Sequence, residues 1–315
     1  GIFAPPVSPM RSFWMLAASL FFSLMAAFAK FGTDAFGAYE LVFYRQLFAT
    51  LVLYGFVVAR GRTLRTPYIG SHFKRSILGT AALLIWFYAI AHLPLGTAMT
   101  LNYTTPLWMA AIAVVLALRR HDPLEGKLLL CVVLGFFGVT LVLNPDVHSA
   151  DFLPGLIGLS SGFLAALAQF QVRQMTELHE PEWRIVFYFS LTGTVASLVC
   201  HFLFEGPMTM LTLENGWPVL GMAVSGILAQ LSMTRAWSGE SILLTSSLQY
   251  AAIVFAAVFG WMFFDEPISL WAALGILRIT VAGVGATLET RRKMRKSTGG
   301  DPHPAVPGGA NPKKI

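Results

Sequence analysis

The sequence predicts an all-α membrane protein in which ten transmembrane helices form a 5+5 inverted repeat. Its 315 residues are 56% hydrophobic and 12% charged, about half the charged fraction of an ordinary soluble domain. Ten apolar stretches are each long enough to cross a bilayer. The stretch from Ile77 to Pro123 is matched by the one from Gly221 to Pro267, and each ends in an acidic residue followed by proline. A repeat of this length predicts two structurally related halves.

The predicted spans are joined by short loops, which favour antiparallel neighbours in a compact bundle. They lie at about 12–30, 38–59, 76–92, 96–118, 126–143, 154–173, 183–203, 217–235, 241–263 and 268–290. The divisions we expect are a cytoplasmic segment at 1–11, a first repeat at 12–143, a second repeat at 152–290 and a disordered basic tail at 291–315. Because five spans precede the second repeat, it enters the membrane from the opposite side. Inverted repeats of this kind hold a substrate site near the bilayer midplane, between the halves.

The distribution of positive charge predicts the orientation of the chain. Most of the 22 lysines and arginines fall in alternate loops, including a group from Arg60 to Arg75 and another after Thr290. This positive-inside pattern predicts a multi-pass protein of the cell inner membrane with both termini in the cytoplasm. It also accounts for the net charge of +6. We therefore expect the lipid bilayer, and no nucleic acid, to be the partner of these charges.

Several stretches resemble the drug/metabolite transporter superfamily, in its EamA-type ten-helix branch. They are "ELVFYRQLF" at 40–48, "PLGTAMTLNYTTPLW" at 94–108 and "FFDEPISLWAALGI" at 263–276. The resemblance covers residues 12–290. It implies a central cavity lined by spans 1, 3, 4, 6, 8 and 9, and a substrate drawn from amino acids, amines, vitamins or nucleotide-derived metabolites.

Spans 4 and 9 carry polar clusters at equivalent positions. The repeat offset places Asn102 opposite Ser246 and Thr105 opposite Gln249. Pro106 removes a helical hydrogen bond and frees the carbonyl of Asn102, which then needs a polar neighbour or water. Cavity lining is one interpretation, and hydrogen bonding between helices by small hydroxyls is the other. The candidate binding residues from these spans are Asn102, Tyr103, Thr105, Trp108, Ser246, Gln249 and Tyr250.

Further candidates come from the other cavity-lining spans and from charges inside the membrane. Aromatic and amide side chains suit an amphipathic small molecule, which selects Trp86, Tyr88, Gln169 and Gln230. Arg45 and Arg278 lie within spans, where a cation is costly and marks a functional site by default. Both are candidates to contact a carboxylate or phosphate. The alternatives are a structural role for each arginine and core filling for the aromatic residues.

No pattern in the chain predicts catalysis. Gly158–Gly162 matches GxSxG, but that motif needs a strand–turn–helix elbow, and here it lies in an apolar helix where it also forms a GxxxG packing face. We expect no catalytic group, cofactor or metal. The interpretation is a secondary transporter, an exporter or exchanger of a small amino-acid-like or carboxylate-bearing metabolite, and a possible homodimer. An integral-membrane enzyme and a passive channel are the alternatives, and uniport, exchange and proton antiport all stay open.

Overall fold

The protein is a bundle of α-helices in a computed structural model that describes residues 9–92, 100–143, 152–239 and 241–298. A short 3-10 helix, Pro9–Phe13, precedes the first α-helix. The α-helices are α1 (Trp14–Gly32), α2 (Ala38–Ala59), α3 (Ile69–His92), α4 (Thr105–Arg120), α5 (Gly126–Leu143), α6 (Phe152–Glu177), α7 (Glu182–Phe204), α8 (Gly216–Ala236), α9 (Ile242–Gln249), α10 (Ala251–Phe264) and α11 (Leu270–Thr298). The ends of the predicted N-terminal segment and basic tail lie outside the described residues.

The all-α membrane fold class is confirmed. Within the described ranges, nine helical stretches are long and apolar enough to cross a bilayer, and α9 together with α10 makes one of them. The tenth predicted span is α3, which has 24 residues. It begins seven residues before the predicted boundary at 76 because its first two turns are polar and pack against the second half of the chain. His72 and Arg75 of these turns are buried.

The two halves are related by a pseudo-two-fold axis that passes between α2 and α7. The hydroxyls of Thr50 and Thr194, which are 144 residues apart, lie 3.3 Å from each other. Thr50 also donates to the carbonyl of Gln46 and Thr194 to that of Ser190, at 2.8 and 2.7 Å. Because equivalent residues touch each other and make equivalent bonds, the axis crosses this contact.

Other contacts obey the same symmetry at opposite ends of the bundle. The Tyr44 hydroxyl donates to the carbonyl of Thr209 at 3.4 Å, and the equivalent Tyr188 hydroxyl donates to that of Leu64 at 2.8 Å. Helix α1 packs mainly against α8, and its equivalent α6 packs mainly against α3. Exchange of the two halves therefore maps the α1–α8 pair onto the α6–α3 pair, as an inverted repeat requires.

Spans 4 and 9 are both interrupted at equivalent places. A helical stretch at 100–102 ends in a turn at 103–104 before α4, which has Pro106 in its first turn. In the second half, α9 ends and α10 begins at Tyr250. The carbonyl of Asn102 accepts a hydrogen bond from the Thr105 hydroxyl at 2.7 Å. The polar neighbour that the proline requires is thus supplied by the adjacent threonine.

The glycine pair of α6 forms a packing face against span 4. A side chain at Gly158 would meet Leu101 at 2.9 Å, and one at Gly162 would meet the carbonyl of Leu101 at 2.7 Å. Between the glycines, the Ser161 hydroxyl donates to the carbonyl of Gly158 within the same helix. This segment brings α6 close to the interruption in span 4, and its serine is fully buried.

Candidate functional site

A cavity of about 210 Å³ lies between the two halves. Residues of α1, α2 and α3 line it together with residues of α6, α7, α8 and α10, the end of α9 and the turn before α4. Its larger polar and aromatic lining side chains are Arg45, Arg75, Trp86, Asn102, Tyr103, Gln169, Phe189, Gln230 and Gln249. The site combines cationic, amide and aromatic groups at the junction of the repeats.

The structure brings many of the predicted binding residues together and leaves others outside the cavity lining. Those that line it are Arg45, Trp86, Asn102, Tyr103, Gln169, Gln230 and Gln249. Those outside it are Tyr88, Thr105, Trp108, Ser246, Tyr250 and Arg278. Gln249 and Ser246 share α9 and Trp86 and Tyr88 share α3, so within these helices the direction of each side chain separates the two groups. Thr105, Trp108 and Arg278 lie on α4 and α11, which contribute no residue to the described lining.

The residues outside the lining have identifiable structural surroundings. Thr105 donates to Gly162 of α6 at 3.1 Å, and the Trp108 ring packs edge-on against Phe163 at 5.1 Å. Tyr250 is 0% exposed and packs so closely on α5 that a side chain at Gly135 would meet its ring at 2.6 Å.

The remaining three residues lie on other faces of their helices. Ser246 is buried, and Tyr88 is half-buried on α3. Arg278 is exposed on α11, away from the cavity. The anion contact expected of an intramembrane arginine therefore has to be sought at other positions.

Arg75 is a cavity residue that the sequence reasoning missed. The sequence places it in a cytoplasmic group of charges, but it lies in α3, is 3% exposed, and its guanidinium carbon sits 4.2 Å above the Phe189 ring. A cation–π contact is stronger where the cation is shielded from water. A helical pattern could have found it, because Arg75, Gly79, Ala82 and Trp86 follow the spacing of one helix face, and all four line the cavity.

Arg45 is packed as tightly as Arg75. It is 6% exposed, and a side chain at Gly226 of α8 would meet its Nε at 2.8 Å. Both arginines line the same cavity and both are positively charged. In the described part of the chain, neither arginine forms a hydrogen bond or an ion pair, and Arg45 Nε together with Arg75 Nε and Nη1 is buried without a partner. Aspartate and glutamate are absent from the described lining residues.

Two uncompensated cations define what this site can bind. A buried charge without a partner costs several kcal/mol, and an anion with hydrogen-bonding oxygens offsets that cost. The guanidinium fork fits a carboxylate or a phosphate. Gln169 and Gln249 each have a buried side-chain oxygen without a partner in the described residues, so hydrogen-bond donors of a bound molecule would also be satisfied.

The serines of the cavity are already engaged. The Ser23 hydroxyl donates to the carbonyl of Ala252 at 2.7 Å and that of Ser19 to the carbonyl of Leu248 at 3.4 Å. Both carbonyls flank the interruption between α9 and α10, where helical hydrogen bonds are lost. These serines therefore support the broken helix, and the arginines and amides are left for a substrate.

The ends of the bundle carry polar contacts that join the halves. Lys30 of α1 pairs with Glu266 after α10, and its ammonium lies 4.2 Å from the Phe264 ring centre. At the opposite end Glu180 accepts hydrogen bonds from His72 and Arg184 at 2.8 and 2.9 Å. Burial opposes ionisation of Glu180, but the hydrogen bonds from these two partners hold its pKa below the usual value.

Comparison with known proteins relates this architecture to transporters. The model of the EamA-like transporter family matches residues 10–144 and 153–288. The chain is 31% identical to the pseudopaline exporter CntI of Pseudomonas aeruginosa, over 82% of this chain and 90% of the exporter. It is 23% identical to an S-adenosylmethionine uptake transporter of Rickettsia bellii, over 80% and 84% of the two chains. The fold is shared with a solved crystal structure. The match covers 89% of this chain and 98% of the chain in that structure, with a TM-score of 0.77 and 20% sequence identity.

Proposed function

The chain belongs to the EamA-like transporter family, and from this membership we propose that it carries a small carboxylate-bearing metabolite across the inner membrane by alternating access. The substrate class we favour is an amino acid or an amino-acid derivative. The substrate binds in the cavity between the halves, and the protein acts as an exporter or an exchanger. Both termini lie in the cytoplasm in this proposal.

The pair of buried arginines, Arg45 and Arg75, is the observation that carries the proposal. They line one cavity, and the described lining residues include no acidic side chain to neutralise them. A single carboxylate between them would accept charge-assisted hydrogen bonds, each contributing about 1.5–3 kcal/mol. The neutral amides of Gln169, Gln230 and Gln249 would orient the remainder of the molecule.

The named relatives support this substrate class. S-adenosylmethionine, which the Rickettsia bellii relative is named for taking up, is an amino-acid derivative with a free carboxylate. The Pseudomonas aeruginosa relative is named as an exporter. Because these two relatives are named for opposite directions of transport, gradients of the substrate set the direction of net transport in this proposal.

Counterflow in proteoliposomes tests the proposal. Vesicles loaded with millimolar unlabelled compound are diluted into a trace of the same compound in labelled form, using a panel of amino acids and S-adenosylmethionine. The matched controls are the corresponding amines, which lack only the carboxylate. We expect transient accumulation of at least one acid and none of its amine.

Three results would count against the proposal in different ways. Equal accumulation of an acid and its amine would show that the arginines do not recognise a carboxylate. Flux that neither saturates nor shows counterflow would indicate a passive channel. Conversion of any panel member into another compound would indicate a membrane enzyme.

A further inference from the structure

The cavity carries two positive charges whenever no substrate is bound. Arg45 and Arg75 are buried on different helices, α2 and α3, and they contact the second half of the chain through Gly226 and Phe189. Among the described residues, no carboxylate lies within ion-pairing distance of either one. The charge of the site is therefore set by its occupant.

We propose that this protein is an obligatory exchanger, in which the empty carrier does not return across the membrane and each carboxylate-bearing substrate that leaves is replaced by another. The inference rests on the proposed function, because it uses the same cavity and the same substrate class. It adds the coupling mode, which the sequence leaves open among uniport, exchange and proton antiport.

The argument follows from the step that every alternating-access carrier must make. To change the side to which the site is open, the cavity has to pass through a state that is closed to both sides. In an open state, water reaches the guanidinium groups and screens their repulsion. The cavity of this structure has a volume of about 210 Å³, and closing it to both sides removes most of that water from the guanidinium groups.

The occupied and empty carriers differ in that closed state by the charge they enclose. With a carboxylate between Arg45 and Arg75, the closed cavity holds paired and hydrogen-bonded charges. Without it, two like charges face each other in a medium of low dielectric constant, where repulsion is several times stronger than in water. The empty carrier therefore changes conformation far more slowly than the loaded one.

A protonatable carboxylate in the cavity would offer another way to discharge the site, but the described lining residues include none. Two acidic residues at the bundle ends already have partners, namely Lys30 for Glu266 and the His72 and Arg184 pair for Glu180. The carboxylate of the substrate is then the counter-ion of the cavity. Transport of one substrate molecule is therefore coupled to transport of a second substrate molecule in the opposite direction, and not to the movement of protons.

Efflux from proteoliposomes distinguishes exchange from net transport. Vesicles are loaded with radiolabelled L-glutamate or radiolabelled S-adenosylmethionine and diluted into buffer with or without the same unlabelled compound. We expect efflux to be at least about tenfold faster with external substrate, because an uncompensated buried charge of this kind slows the empty step by an order of magnitude or more. Equal rates in the two buffers would overturn the inference. Since carrier-mediated efflux would still be present, the proposed function would stand.

Charge variants of Arg75 give a second readout. In Arg75→Gln the empty site carries one positive charge less, so we expect a raised KM and a ratio of exchange to net efflux that falls towards one. Arg75→Lys keeps the charge and should keep the ratio, and the exposed Arg278→Gln should keep both the KM and the ratio. A ratio that stays high in a folded Arg75→Gln carrier would overturn the inference. If neither compound leaves through the wild-type protein under either condition, the proposed function fails together with the inference.

Discussion

The substitution Gly226→Ala tests whether the position of the Arg45 guanidinium, and not only its charge, sets substrate affinity. A β-carbon at residue 226 would lie 2.8 Å from Arg45 Nε and 3.2 Å from its Cγ and Cδ. These distances are shorter than ordinary van der Waals contacts, so the arginine side chain has to move. The variant therefore displaces the charge and preserves it.

We expect the substitution to weaken substrate binding and to lower the stability of the protein. Overpacking costs about 1–3 kcal/mol, while replacing a glycine inside a helix by alanine returns about 0.5–1 kcal/mol. The net loss of stability is then at most about 2.5 kcal/mol. Loss of one charge-assisted hydrogen bond to a substrate costs about 1.5–3 kcal/mol, which corresponds to a KM raised by about 10- to 150-fold.

The assay is the concentration dependence of counterflow, measured beside the thermal unfolding temperature of the purified protein. Gly55→Ala is the matched control, because residue 55 is exposed on α2 and a β-carbon there would meet nothing within 4 Å. We expect the control to keep its KM. An unchanged KM in Gly226→Ala, combined with a lowered unfolding temperature, would show that Arg45 was displaced without consequence and would refute its role in binding.

Three further predictions address residues outside the cavity. Tyr250→Phe removes a buried hydroxyl that has no partner among the described residues, so the unfolding temperature should rise or hold and the KM should not change; a raised KM would place Tyr250 in the site. In the folded protein the pKa of Glu180 lies below its usual value of 4.5. The ionised carboxylate therefore contributes stability above pH 4.5, and this contribution is lost as the pH falls through the folded pKa. Glu180→Gln should flatten the acid side of the stability profile measured by thermal unfolding, and an unchanged slope would contradict the assignment. Lys30 and Glu266 are both substantially exposed, so a double-mutant cycle with alanine should give a coupling energy below about 1 kcal/mol. A larger coupling energy would show that this ion pair contributes strongly to the contact between α1 and the end of α10.

The membrane fold and the inversion of its halves could be predicted because they depend on local chemistry. Apolar length decides whether a segment spans the bilayer, and five spans in the first half force the second half to enter from the other side. The repeat offset then pairs residues such as Thr50 and Thr194 before any packing is known, and the structure places these two hydroxyls in contact. The polar clusters of spans 4 and 9 were likewise visible as composition.

Whether an individual side chain points into the cavity depends on tertiary packing, and the sequence predicted this direction correctly for only some of the candidate residues. Successive residues in an α-helix point about 100° apart, so Gln249 lines the cavity while its neighbour Tyr250 packs on Gly135 of α5. Composition alone could not separate the two. The same reasoning applies to Thr105, which hydrogen-bonds to the backbone of α6.

The arginines show the distinction most clearly. A cation within an apolar stretch was visible at Arg45 and Arg278, but one of them lines the cavity and the other is exposed on the outer face of α11. Arg75 was hidden because a polar first turn reads as a loop when hydropathy alone is considered. Its burial against Phe189 of the second half is decided by packing between the halves. The sequence by itself thus determined how many times this protein crosses the membrane and that its second half is inverted relative to the first. Packing between the halves decided which charged side chains are buried in the cavity, because the burial of a side chain depends on its neighbours in space.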